Sequence, residues 1–301
     1  MRASCRVCCT ATKTPGTGRC WIIWRARTTH PFDLWVFIGN PRAARQEGWY
    51  AHRYLDDQED FNRVWGLKQP TTRMRRCADS VLAQITAAAP CAALDLHNNT
   101  GDSPPYAVIP SRDPEALHLA ALCGDTGLAW LLPANTLMEA LAPHCPIIAV
   151  ECGLAGLAAS TRYACTVLDR FLHSELPAPP GTLRAPERVF AMHHRVTVRP
   201  EVPFAFGGTL SDEVDLVLTP GLETENFGML FAGTRLGRVH PGAAMPLRAT
   251  DMRGQEQTQR FFAVTSGGEL IVTSDVTPAM MTTTVVQTRR DCLCYLTRRR
   301  S

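Results

Sequence analysis

Three short and nearly unbroken apolar runs, each ending in a polar cluster, constrain this chain more than any other feature. Leu34-Trp35-Val36-Phe37-Ile38 runs into Gly39-Asn40-Pro41. Ala92-Ala93-Leu94-Asp95-Leu96 runs into His97-Asn98-Asn99-Thr100-Gly101, and Ile147-Ile148-Ala149-Val150 runs into Glu151-Cys152-Gly153. Apolar residues without polar alternation are the pattern of a strand covered on both faces, as in a parallel sheet. Residues Thr71–Ala89, Asp113–Leu122 and Ala155–Leu176 carry helical periodicity. Strands alternating with helices predict an α/β fold, a mostly parallel sheet flanked by helices.

The texture changes at the Pro-rich stretch Leu176-Pro177-Ala178-Pro179-Pro180-Gly181. Beyond it, Arg188–Val198, Glu213–Leu218, Met229–Ala232, Arg260–Val264 and Glu269–Thr273 read as strands. The last two form a hairpin around Ser266-Gly267-Gly268. Three regions are expected: an atypical opening segment 1–33, an α/β domain over 34–185 and an all-β domain over 186–301.

Charge narrows the function classes. The net charge is +3, but Arg2, Arg6, Lys13, Arg19, Arg25 and Arg27 fall in residues 1–31, which hold no Asp or Glu. Without those six, 25 basic residues face 28 acidic ones, so the body offers no nucleic-acid footprint. No apolar run approaches the ~18 residues of a membrane span. The first 20 residues have no apolar core of a signal peptide, and the 12 cysteines are scattered rather than patterned. Cys77, Cys91, Cys123, Cys145, Cys152 and Cys165 sit in apolar surroundings and read as buried free thiols, which suits a reducing cytoplasm.

In open α/β sheets, ligands gather beyond the carboxyl ends of the strands. Glu151 and His97 each follow apolar residues directly, and a buried carboxylate or imidazole needs a partner. Taken singly, each polar cluster is also an ordinary strand-closing turn. Together a strand-end His, a strand-end Glu and Arg-bearing loops are the parts of metal-assisted hydrolysis: metal-activated water, a carboxylate base and a cationic oxyanion stabiliser. The order Asn40-Pro41-Arg42-Ala43, Arg53-Tyr54, Asp60-Phe61-Asn62-Arg63, Asp95-Leu96-His97-Asn98 and Val150-Glu151-Cys152-Gly153 resembles the succinylglutamate desuccinylase/aspartoacylase family of zinc deacylases. The resemblance runs from about Leu34 to the end of the chain. It implies a carboxypeptidase-like α/β domain followed by a β domain, and one zinc per chain. By the same resemblance His97 is a zinc ligand, Glu151 the general base and Arg53 the group that polarises the scissile carbonyl. Asn62 and Arg63 hold a substrate carboxylate. The implied substrate is a small N-acyl amino acid, with a homo-oligomer among the assemblies open to the chain.

Two departures stand out. Met138 to Pro146 contains no Arg, where relatives that cleave acetyl-aspartate carry one, so an aspartate-type substrate is not implied. The family's first zinc motif, H-G-N-E, is missing upstream of Leu34; residues 1–33 contain only His30 and no Glu. Reading the degenerate codons of Val7–Thr14 from each third base permits Val-Leu-His-Gly-Asn-Glu-Asp. The opening segment therefore reads as translated out of frame. A mitochondrial presequence and a Cys5-Arg6-Val7-Cys8 metal knuckle explain it less well. A protein that keeps the pocket but has lost catalysis, binding carboxylates, remains the alternative to an enzyme. His193-His194 reads as a surface pair and Cys292-Leu293-Cys294 as ordinary packing.

Overall fold

The computed structural model describes residues 6–11, 32–44, 46, 54–67, 71–131 and 133–300. The chain divides into two compact units, one of residues 1–98 and 105–189, the other of 99–104 and 190–301.

In the first unit the strands are β1 (Arg6–Ala11), β2 (Asp33–Ile38), β3 (Ala92–Asn99), β4 (Tyr106–Ile109), β5 (Thr126–Ala129) and β6 (Ile147–Leu154). The helices are α1 (Pro41–Ala44), α2 (Arg73–Ala88), α3 (Pro114–Cys123), α4 (Leu137–Leu141) and α5 (Ala158–His173). The strands lie in the order β5-β4-β6-β3-β1-β2. β1 pairs in parallel with both β2 and β3, whereas β4 runs antiparallel to β6 and parallel to β5. The sheet is thus mixed. β4 and β5 escaped the sequence reading because runs of four residues carry too little periodicity to register.

Helix ends follow local chemistry. Thr72 caps α2 by accepting from the Arg75 amide, Asp113 caps α3 ahead of Pro114, and Thr136 and Glu139 form a reciprocal capping box on α4. The apolar runs differ in depth. β3 is buried along its whole length, but β2 is exposed at Trp35 (41%) and Val36 (54%), against the expectation of a strand covered on both faces. As the terminal strand in the sheet order, β2 has a neighbour on one side only.

The expected linker packs instead: the Ala178 amide donates to Glu115 on α3, and the Arg184 amide to Nδ1 of His118. The cysteine expectation needs two corrections. Cys77 is exposed on α2, and Cys91, which does pack against the apolar layer at the threshold of β3, is disulfide-bonded rather than a free thiol. Cys123, Cys145 and Cys152 are buried and free, and burial pushes the first two thiols up to about 12 and about 11.

The second unit is sheet-rich. Its strands are β7 (Arg188–Val198), β8 (Phe204–Phe206), β9 (Leu216–Leu218), β10 (Arg235–Val239), β11 (Leu247–Asp251), β12 (Phe262–Val264), β13 (Glu269–Val272), β14 (Thr277–Ala279) and β15 (Cys294–Arg299), with a short α6 (Val285–Arg290). β7 is flanked by β11 and β15, both antiparallel, with β14 beyond β15; β12-β13-β10-β9-β8 form a second sheet. The β12–β13 hairpin closes as expected. Met229–Ala232 is not a strand: Leu230 makes an isolated bridge to Val276, while Met229 and Phe231 are exposed. Gly233, at φ 90°, turns the chain immediately afterwards. Cys292 and Cys294 are buried, so they belong to the core.

Candidate active site

Four strands of the first unit, β2, β1, β3 and β6, point the same way. β1 fixes the direction of β2 and β3. Between β3 and β6, the Ala93 amide donates to the Pro146 carbonyl at 2.9 Å. In a parallel ladder that bond sets Ala93 beside Ile147, and carrying the register forward sets His97 beside Glu151. The two strands are about 4.8 Å apart, so these side chains are immediate neighbours.

The pleat decides which face they occupy. Ala92, Leu94 and Leu96 of β3, with Ile148, Val150 and Cys152 of β6, share one apolar cluster with residues of α3 and α5. Period-two alternation sends Asp95 and His97, and likewise Glu151, to the opposite face. Tyr106, opposite Glu151 across β4, faces that way too. Both strands continue through the polar residues, so His97 and Glu151 stand within strands rather than in the loops after them. That is a firmer mount than a turn supplies.

His97 and Asp95 are buried, and Nε2 of His97 lies 2.9 Å from an Asp95 carboxylate oxygen. Residues two apart on a strand share a face, which is why these two meet. Glu151 is half-buried, and its Oε2 is shielded from water without a hydrogen-bond partner. A shielded carboxylate oxygen with no donor costs free energy, and such groups concentrate where a ligand or water is to be met. Gly153 shapes the exit from β6: its φ is +98°, and a Cβ there would lie 2.9 Å from Ser160 Oγ. That hydroxyl donates to the Leu154 carbonyl just before α5 begins. The glycine of Val150-Glu151-Cys152-Gly153 therefore serves the strand-to-helix turn.

Asn62 and Arg63 occupy a single 3₁₀ turn, Phe61–Arg63. Asp60 caps it by accepting from the Asn62 amide, and Arg63 Nη1 donates back to the Asn62 carbonyl at 2.9 Å. The buried Phe61 ring anchors the turn, 5.8 Å from Phe37 and 5.1 Å from Trp65. Phe37 is the penultimate residue of β2, so the turn hangs at the carboxyl edge shared by β3 and β6. Asn62 Oδ1 is buried without a hydrogen-bond partner. Asn40 is a scaffold: its side chain accepts from the Ala43 amide and donates to Gln58. Arg53 lies outside the described residues, as does His30. His118 is buried on α3, where Nδ1 accepts the Arg184 amide, so it is committed to packing the 178–184 segment.

A catalytic zinc takes three protein ligands from His, Cys, Asp or Glu. Among the described residues no group of three such side chains converges. His97 supplies one imidazole, and its Nε2 is turned onto Asp95. This donor set does not fit a catalytic zinc.

Residues 23–157 match the family profile described as "Succinylglutamate desuccinylase/Aspartoacylase catalytic domain". Over that stretch, a little under half of its length, the chain is similar to this family. Its members are hydrolases of the deacylase type and are generally zinc-dependent. No curated protein matches the chain in sequence. Among solved structures, murine aminoacylase 3 is 16% identical with a TM-score of 0.60, covering 100% of this chain and 97% of its own. A succinylglutamate desuccinylase/aspartoacylase from Rhodobacter sphaeroides is 15% identical with a TM-score of 0.62, covering 99% of this chain and 87% of its own. The succinylglutamate desuccinylase of Chromobacterium violaceum is 18% identical with a TM-score of 0.54, covering 90% and 85%. At these identities the structures share the fold, and the site must be argued from this chain's own residues.

Proposed function

We propose that this chain is built as a hydrolase of N-acyl amino acids or related amides. In this reading Glu151 is the general base: it takes the proton of a water that adds to the acyl carbon, and the departing amine takes that proton as the C–N bond breaks. Arg53 polarises the carbonyl, while Asn62 and Arg63 hold the substrate's carboxylate. The observation that carries the reading is the shielded, unpartnered Oε2 of Glu151 beside His97 on the polar face of the sheet.

Zinc is the metal the family resemblance brings, with His97 as one ligand. Because the donor set does not fit, no step is assigned to it. The chain as written is expected to hydrolyse at background rate. A second reading, a carboxylate-binding protein without catalysis, is favoured by one observation: His97 Nε2 is occupied by Asp95.

The out-of-frame reading of the opening segment has a place in this scheme. β1 runs beside β3 with Thr10 opposite Asp95 and Ala11 opposite Leu96. The third-base reading sets its His-Gly-Asn-Glu from residue 9 or 10 onward, alongside Asp95 and His97.

Two proteins test the proposal: the chain as written, and a version with the alternative frame restored upstream of Leu34. The restored version should hydrolyse acyl-amino acids and lose that activity on Glu151→Ala, while the chain as written shows neither. Activity in the restored version that survives Glu151→Ala would remove Glu151 from its role. An inactive restored version that still binds the acid would leave the carboxylate-binding reading standing.

A further inference from the structure

The second unit holds a histidine arrangement that the catalytic reading does not use. His193 and His194 are consecutive on β7, so an ideal pleat would send them to opposite faces. Instead their Nδ1 atoms are in hydrogen-bond contact, and the ring centroids lie 4.7 Å apart. The register against β15 shows why. Leu296 pairs with His194 but Thr297 pairs with Met192, so His193 is the extra residue of a β-bulge. A bulge breaks the alternation and re-aims a side chain.

The hydrogen-bond chain beyond the pair is directional. The Gln257 amide nitrogen donates to Asp251 Oδ2 at 3.1 Å, which turns Gln257 Oε1 toward His194 Nε2 at 3.2 Å. An amide oxygen only accepts, so His194 must carry its proton on Nε2. When His194 is neutral its Nδ1 is then a lone pair, and His193 must donate from its own Nδ1. A proton added to His194 while His193 is also charged would leave neither Nδ1 with a lone pair and set two N–H groups against each other.

The surroundings add to this. His194 is 6% exposed, with the Phe261 ring centroid 4.6 Å from its own. Arg260, the last residue of the 3₁₀ turn Thr258–Arg260, and Arg298 on β15 both act against a charge on either ring. Asp251 on β11 favours a charge on His194, as the Thr297 backbone does on His193.

We propose that the His193–His194 pair is an acid-operated latch: it holds β7 to β11 and β15 while at most one ring is protonated, and double protonation opens it. The strand pairing puts the consequence in the right place, because His194 pairs with Asp251 of β11 on one side and Leu296 of β15 on the other.

Burial, and then the neighbouring His194, lower the affinity of His193 for a proton to about 4 from 6.5, and burial lowers that of His194 as well. The unfolded chain therefore binds more protons between about 4 and 6.5. Stability is full above that window and falls as the pH drops through it.

The test is urea unfolding of the full chain from pH 7.5 to pH 4.5, beside His193→Phe. Between pH 7 and pH 5 the folding constant of the wild-type chain should fall roughly ten-fold further than that of the variant, allowing for the partial exposure of His193. Parallel profiles would overturn the latch. Should the variant not fold, ¹⁵N-resolved titration of the wild-type rings decides. The latch requires the Nε2–H tautomer of His194 at pH 7 and both rings titrating below the ordinary 6.5. Either ring titrating near 6.5, or His194 carrying its proton on Nδ1, overturns it.

Discussion

The two units each bury histidine, and they treat it in opposite ways. In the first, His97 sits two residues from Asp95 on one pleated face, with its Nε2 on a carboxylate. In the second, His194 meets another imidazole through a bulge, with two arginines nearby. The first ring stands against a carboxylate, whereas burial and two arginines favour the neutral form of the second, though both side chains are more than nine-tenths covered. Burial alone does not set the chemistry of a histidine; the register of its strand does, by choosing the partner.

The largest expected effect breaks the first half of this comparison. Asp95→Ala removes the carboxylate beside the buried His97 ring, and should cost about 3 kcal/mol of unfolding free energy in urea at pH 7. Asp95→Asn keeps the shape and polarity without the charge, so it should cost about half as much. Equal losses would mean that the charge carries the whole effect, and no loss in Asp95→Asn would mean that it contributes nothing. A smaller effect sharpens the second half: Gln257→Leu frees His194 Nε2 from its fixed acceptor and should cost about 1 kcal/mol at pH 7. The smallest belongs to a pair with no buried partner. Arg42 and Asp57 form an ion pair at 2.7 Å, but both side chains are more than half exposed. Arg42→Ala should change stability by less than about 0.5 kcal/mol and weaken further in salt.

Much of the first unit was legible because long strands and amphipathic helices carry strong periods. β3, β6, α2, α3 and α5 all lie where apolar spacing put them. Depth was not legible: β2 and β3 have similar apolar runs, but position in the sheet order, which no local pattern encodes, exposes Trp35 and Val36 and buries Leu94. The closeness of His97 and Glu151 follows from a register between strands 54 residues apart, while their being interesting could be read from charge after an apolar run. The Asp95–His97 contact could have been found by the same period of two. The His193–His194 contact could not. It read as a surface pair, and it depends on a bulge set by β15, a hundred residues downstream in the chain.

With the His97 ring against Asp95 and Glu151 open, the described site is not a zinc centre as written. Metal analysis of the purified full chain after incubation with excess zinc and desalting tests this most directly. Far less than one zinc per chain should be retained, with the same trace amount in His97→Ala. About one zinc per chain, lost in His97→Ala, would contradict it.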